Sequence, residues 1–517
     1  MTTIQLTALT ARMAALCLAH SPARYRLDPP VQWVLRSGAQ VCARGTAVNV
    51  LLLLDALTPD TEYQLDCGAQ IRFRTPPCPG ALCPTQFGAQ PDLPDTTATV
   101  SANATAFDAA IRALPIGGTL IVPKGRWICG PLRLRSDMVL YLQPGAELAT
   151  TQIRSAWPIL PSHDEGGRML GSWEGLPEPC FAGCIHAIGA RNLTICGLGI
   201  LDGGGTRGDW WSWPKQTRDG ARRPRGMHLI DCTQTTLMGF TIRNAPSWTL
   251  HPQGCVGLDA IGLKIHAPHN SPNTDGLDPE MCEDVRIIGT HFSVGDDCIA
   301  IKSGKRGADG SADHLRPTRN ILVQHCLMER GHGGLVIGSE MSGDVTDITV
   351  RDCDMIGTDR GLRLKTRRGR GGRIDRITMA NIVMDGVLTA FSANAHYYCD
   401  PDGHAPWVQS RTAAPVDDTT PQIGQVQIRD VTIYNLSHAL GAFLGLPEAP
   451  IGPISLHNIA LASYDPTAQP AAPLMADGIA AQRHAGLCVE YATVTGIGGE
   501  TAPVSLEDFR QLEPVTR

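Results

Sequence analysis

Aromatic side chains make up only 5% of this chain of 517 residues and charged ones only 18%. Those two shortages argue against a charged helical bundle and against a disordered chain. No apolar stretch reaches the roughly 18–20 residues that a bilayer-spanning helix needs. Positive charge is not in excess: the formal net charge of −6 argues against a nucleic-acid binder, so a polyanionic ligand would need a local basic patch. The 17 cysteines form no C-x-x-C pair, and several (Cys298, Cys326, Cys353) lie in apolar runs as small core hydrophobes, which fits a reduced compartment. No export signal is evident, since the apolar run Met13–Ala19 is short, follows a single arginine and lacks a small-residue cleavage site. The expectation is a cytoplasmic protein, with the periplasm as the alternative.

Glycine is abundant, at 55 residues, and goes with many short strands and turns. Residues 1–78 read as a separate β-sandwich with strand-like runs at Val31–Leu35 and Val48–Leu54. The phrase Leu57–Leu65 resembles the E–F corner of a fibronectin type III module, where a tyrosine hydroxyl, here that of Tyr63, bonds back to the chain upstream. A Pro/Cys/Gly stretch to Pro84 reads as a linker. The second unit, 79–517, opens with one amphipathic helix over Phe107–Leu114, placed to cap a stack of strands.

Phrases of one style then recur, mostly at intervals of roughly 23 to 36 residues: Thr235–Ile242, Leu258–Ile265, Val285–Phe292, Asn320–Leu327, Val345–Val350, Ile374–Met379 and, after a longer gap, Val426–Ile433. Each unit is too small to bury its own apolar face, so the units must stack. The expected fold is all-β, a right-handed single-stranded parallel β-helix preceded by a small β-sandwich. In such a coil, side chains alternate in and out, and polar residues of successive turns line up as ladders on one outer face.

Asp275, Asp296, Asp297 and His332 fall in three such phrases, SPNTDGLD, SVGDDCIAIKSG and RGHGGLVIGSE, followed by Arg363-Leu364-Lys365. Adjacent acids alone usually mark a solvated turn, but ladders let these side chains converge. Cleaving a glycosidic bond by single displacement needs one protonated carboxyl for the leaving oxygen and an ionised one to activate water. Crowded carboxylates split their pKa values, which supplies both states. Arg363 and Lys365, alternating on a strand, suit a sugar carboxylate. The neighbouring Arg360, Arg367, Arg368, Arg370 and Arg373 make a dense basic stretch, whose outer arginines read as a solvated loop or a weak polyanion patch. Tyr397 and Tyr398 are candidates for stacking on sugars, and Trp248 reads equally as a stacking or a packing residue.

Asn273-Thr274-Asp275, Gly295-Asp296-Asp297, Gly331-His332-Gly333 and Arg363-Leu364-Lys365, in this order, resemble the four signatures of the polygalacturonases of glycoside hydrolase family 28 over residues 85–465. The resemblance implies a parallel β-helix that hydrolyses α-1,4-galacturonic acid linkages with inversion, with no cofactor and no metal. By motif, Asp296 is similar to the general acid, and Asp275 with Asp297 to the pair that holds and activates water. His332 matches the residue supporting the acid, Arg363 and Lys365 the grip on the galacturonate carboxylate, and Asn273 a source of polar contacts. Gly333–Glu340 and Ala395–Gly403 resemble the bacterial exo-acting members, which carry a fibronectin-like module in front of the coil, and residues 394–422 then become a candidate cleft wall. The implied activity is an exo-polygalacturonase working from the non-reducing end of pectic oligosaccharides, with no nucleic-acid or membrane partner. A calcium-dependent pectate lyase and a non-catalytic polysaccharide-binding β-helix are the rival readings.

Overall fold

The computed structural model describes residues 3–19 and 23–496, so residues 497–517 of the expected second unit lie outside the described residues. Near the N-terminus two antiparallel sheets face each other. Thr3–Leu9, Ala14–Ala19 and Leu51–Leu54 form one, and Arg26–Ser37, Gln40–Asn49, Glu62–Asp66 and Gln70–Arg74 form the other. Leu16, Leu18, Leu35, Leu52, Leu65 and Phe73 pack between them. The Tyr63 hydroxyl accepts a hydrogen bond from the Thr58 N–H at 2.9 Å, the corner expected at this tyrosine.

The apolar run Met13–Leu18 is thus accounted for by packing: it is the inner strand of the first sheet. Leu16 and Leu18 point into the sandwich, while Met13 and Ala15 point the other way and meet Tyr141, Cys196, Met238, Ile261 and Ile288 on the coil. Leu51–Leu54 splits in the same manner, Leu52 and Leu54 inward, Leu51 and Leu53 onto the coil. A strand buried on both faces reads as a continuous apolar run rather than an alternating one. The fit on the coil is close. Gly262 and Gly289 have positive φ, and a Cβ on them would stand 2.9 and 2.6 Å from the Leu51 Cδ2 atom. Tyr141 donates to Asp55 at 2.8 Å and Arg24 pairs with Asp354 at 2.7 Å, extending the seam along several turns of the coil.

The remainder is a right-handed parallel β-helix. One of its sheets has 21 strands. Leu120, Leu140, Ile195, Leu237, Ala260, Ile287, Val323, Val350, Met379, Ile428 and Leu456 occupy a single register position on successive turns, and all are buried. The recurring phrases of the sequence are therefore successive rungs. Cys298, Cys326 and Cys353 are fully buried in this interior. The capping helix runs from Thr97 to Ala113, starting well before the expected Phe107. Its early turns hold threonine and asparagine rather than an apolar stripe. Asn103, buried in the helix, uses its side chain to donate to the Gln90 and Ile128 carbonyls, and Thr96 caps the first turn through the Thr99 N–H. Phe107 meets Trp127 edge-on at 5.9 Å and closes the first rung.

A second parallel ladder carries the site. Leu132, Ile185, Met227 and Leu250 share one register. Single bridges through Leu277 continue it to Ile299, and from there it runs on through Leu335, Leu362, Phe391, Gly441 and Leu487.

Candidate active site

Because Leu277 and Ile299 are bridged across adjacent turns, Asp275 and Asp297 stand at equivalent positions one rung apart, and the Gly276 N–H donates to the Asp297 carbonyl at 2.9 Å. Rungs stack at about 4.8 Å, so the two carboxyls are neighbours despite their separation in sequence. Asp296 and His332 are paired in the same way one position earlier, the His332 N–H donating to the Asp296 carbonyl at 2.9 Å. Gly331 is required here: its φ is +135°, and a Cβ on it would stand 2.6 Å from that same carbonyl oxygen. The result is three carboxyls, each with an oxygen within 4.8 Å of the others.

Their surroundings differ. Lys365 Nζ donates to Asp297 Oδ2 at 2.7 Å and Arg363 Nη1 to Oδ1 at 3.3 Å. Burial works against the Asp297 anion, but Lys365 and Arg363 outweigh it and bring the pKa down to about 2. Asp275 goes the other way. Burial first, then the negative charges of Asp296 and Asp278, push its pKa well above the usual carboxylate range, and its Oδ1 has no protein partner. Asp296 Oδ1 accepts from the Asp297 N–H at 3.0 Å and lies 3.1 Å from His332 Nδ1. That hydrogen bond raises the His332 pKa despite the opposing effect of burial.

The sequence thus brought Asp275, Asp296, Asp297, His332, Arg363 and Lys365 to one place. Asn273 lines the same cavity with its φ at +54°, and its Oδ1 accepts from Arg223 Nη2 at 2.5 Å. The cavity holds about 730 Å³. Glu174 and Lys215, paired at 3.3 Å, line it. Tyr397, Tyr398, His404 and Met475 line it too. Trp248 also lines it but is 4% exposed, with Lys302 Nζ 4.5 Å and the Arg225 guanidinium 4.6 Å from its ring, so it is floor rather than a free stacking platform. Tyr397 is likewise held under Arg363 and Lys365, at 5.6 and 5.5 Å.

The expected solvated basic loop is corrected: Arg367, Arg368 and Arg370 are all buried. Arg367 makes a fork with Asp402 at 2.6 and 2.7 Å, Arg368 pairs with Glu448 at 2.6 Å, and Arg370 with Asp400 at 2.6 Å. They clamp the wall segment against the coil, and planar forks suit such buried pairing. Only Arg373 keeps the expected exposure, paired with Asp375 at 3.0 Å.

Two features escaped the sequence reading. Beneath the aspartates, Lys302 pairs with Glu340 at 3.0 Å and lies 3.6 Å from Asp278. Lys302 sits in register with Glu280 on the preceding rung, so counting in twos beyond Asp296 would have found it. The strap 473–477 is the second. It closes over the cavity through the Met475 carbonyl, which accepts from Asn394 Nδ2 at 2.9 Å, and through Asp477, which meets His404 at 2.9 Å. No periodicity marks it.

The sequence profile of glycosyl hydrolases family 28 matches residues 179–437. The chain belongs to this family. Among family relatives, a probable polygalacturonase of Vitis vinifera is 29% identical over 347 residues, covering 67% of this chain and 67% of the relative. An endo-polygalacturonase of Pectobacterium parmentieri is 29% identical over 273 residues, covering 50% of this chain and 63% of its own length. The solved family 28 exopolygalacturonase of Yersinia enterocolitica superposes with a TM-score of 0.66 at 18% identity, covering 97% of this chain and 100% of that one, a likeness of fold.

The hydrogen bond to Asp296 keeps the imidazole of His332 protonated to higher pH, and that proton is lost as pH rises through the elevated His332 pKa. The alkaline limb of kcat/KM is accordingly expected above the ordinary imidazole range. His332→Ala should move that limb to lower pH. A limb that stays in place would separate His332 from the acid.

Proposed function

We propose that this family 28 member is an exo-acting polygalacturonase that hydrolyses α-1,4-galacturonic acid linkages from the non-reducing end of pectic oligogalacturonides. One observation carries the reading: three aspartyl groups in unlike electrostatic settings converge beside Lys365 and Arg363 in one cavity. An endo enzyme needs a cleft through which the polymer runs on in both directions. The strap 473–477, tied to the wall segment through Asn394 and His404, closes over the cavity and favours a chain end instead.

In this mechanism Asp296, supported by His332, protonates the leaving oxygen, and Asp297 with Asp275 holds the attacking water. Arriving uronate carboxylate would share Lys365 and Arg363 with Asp297. That sharing weakens the pull that keeps Asp297 at about 2 and makes it a better base. The oxygens lie within 4.8 Å, closer than the about 6.5–9.5 Å usual for an inverting pair of carboxyls. Inversion is still favoured, because neither inner aspartate suits a covalent nucleophile. Both Asp297 oxygens are engaged by cations, and Asp275 is biased toward its neutral form. Asn273 adds a polar contact to the sugar.

The test is a time course on trigalacturonate and longer oligomers, with products sized by chromatography and the new anomeric centre followed by NMR. Mono- or disaccharide only, first seen as the β-anomer, is the expected result. A ladder of product lengths would overturn exo action, and a first-formed α-anomer would overturn inversion. The lyase reading draws on the same three carboxylates as a cation site. It requires an unsaturated product and loss of activity in EDTA, and neither is expected here. We place the catalytic unit at 79–517 after the sandwich of 1–78. We also read its site of action as the cytoplasm, on imported oligomers, in keeping with the buried thiols of the coil.

A further inference from the structure

The cations that line the cavity nearly all have an acidic partner. Lys215 is on Glu174, Lys302 on Glu340, Lys365 and Arg363 on Asp297, His332 on Asp296 and His404 on Asp477. Arg360 differs. Its Nε donates to the Pro473 carbonyl at 3.1 Å and its Nη1 to the Asp359 carbonyl at 2.9 Å, and among the described residues it makes no ion pair. The carboxylate of Asp359 acts on it only from further away.

Arg360 is partly buried and opens the strand that ends at Lys365. Its place is fixed by the rung before: the Gly334 N–H donates to the Arg360 carbonyl at 2.8 Å and the Asp359 N–H to the Gly331 carbonyl at 2.9 Å. The guanidinium therefore stands one turn along the coil from His332, beside Arg363 and under the strap at Pro473. Burial, then Arg363, lower its pKa to about 10, so it remains a cation across the neutral range. A guanidinium has five N–H donors in a planar fork that matches a carboxylate. Two of its donors are on carbonyls, and the charged groups acting on it are Arg363 and the Asp359 carboxylate, with which it makes no ion pair among the described residues.

We propose that Arg360 holds the carboxylate of a second uronate, adjacent to the one gripped by Arg363 and Lys365, so that the cavity reads two consecutive unesterified galacturonates. The inference rests on the polygalacturonate reading above and adds a demand on the substrate: both acids must be free. Methyl esterification of the second sugar removes its charge while leaving the ring and linkage in place.

The experiment compares wild type, Arg360→Gln and Arg360→Lys on trigalacturonate and on trigalacturonates methyl-esterified at one defined residue, measuring kcat/KM and, by calorimetry, affinity. Wild type should disfavour one ester by about tenfold to a hundredfold relative to the free acid, the range of a charge-assisted hydrogen bond. Arg360→Gln should lose that factor on the acid and almost nothing on the ester, so that the preference collapses, while Arg360→Lys, which keeps charge but not the fork, retains part of it. Equal losses on acid and ester would mean that Arg360 merely anchors the strap, and would overturn the proposal. So would a wild type indifferent to esterification. A wild type that binds these oligomers without cleaving them would instead sink the hydrolase reading, and the affinities would still decide the role of Arg360.

Discussion

Asp296→Asn is expected to lower kcat by about 10²–10⁴-fold, the contribution of a positioned general acid. The amide keeps the shape of the carboxyl and can still meet the Asp297 N–H and His332, but it has no acidic proton for the departing oxygen. The Asp296 side chain is 22% exposed and supports no strand, so the thermal midpoint of the variant should match that of wild type. Turnover within a fewfold of wild type on trigalacturonate would end the assignment and move attention to Asp275, an aspartate that burial biases toward holding a proton.

Lys302→Met should have the largest effect on stability. The ammonium is 5% exposed and lies between Glu340 and Asp278, and Arg370 and Lys365 act on Glu340 from further off. Removing one partner of a buried pair leaves an uncompensated charge and costs about 3–5 kcal/mol. Its pH dependence identifies the cause. Burial works against the Glu340 anion in the native protein, but Lys302 outweighs it and holds the pKa below the usual range. That group therefore contributes stability above the unfolded-state pKa, which fades as pH falls through the native one. In the variant Glu340 is buried with less compensation, its native pKa rises, and acidification should relieve the deficit. Denaturation curves of both proteins from neutral to mildly acidic pH measure this. A constant gap across that range would mean that lost packing, not charge, is responsible.

The coil was legible because its information is repetitive: apolar residues at one register position on turn after turn leave little choice of fold. The carboxylate cluster was legible for a related reason, since equivalent positions on neighbouring rungs converge wherever the ladder is regular, as Asp275 and Asp297 do. What escaped lies where chain enters or leaves the ladder. Burial of Arg367, Arg368 and Arg370 depends on acids at 400, 402 and 448, which no local pattern connects to them. The strap at Met475 reaches the site from a late loop through main-chain carbonyls, and these have no sequence signature. The early turns of the capping helix were missed because their threonines and asparagine serve hydrogen bonds rather than an apolar face.

The two-sided strands Ala14–Ala19 and Leu51–Leu54 carry a consequence for how the two units can be handled. The outward Ala15, Leu51 and Leu53, with Met13 just ahead of the first strand, lie on Tyr141, Cys196, Met238, Ile261 and Ile288, so the sandwich is a lid sealing a greasy seam and not a swinging arm. Cutting it away would bare oily surface on both fragments, and an isolated catalytic coil would tend to self-associate through that strip.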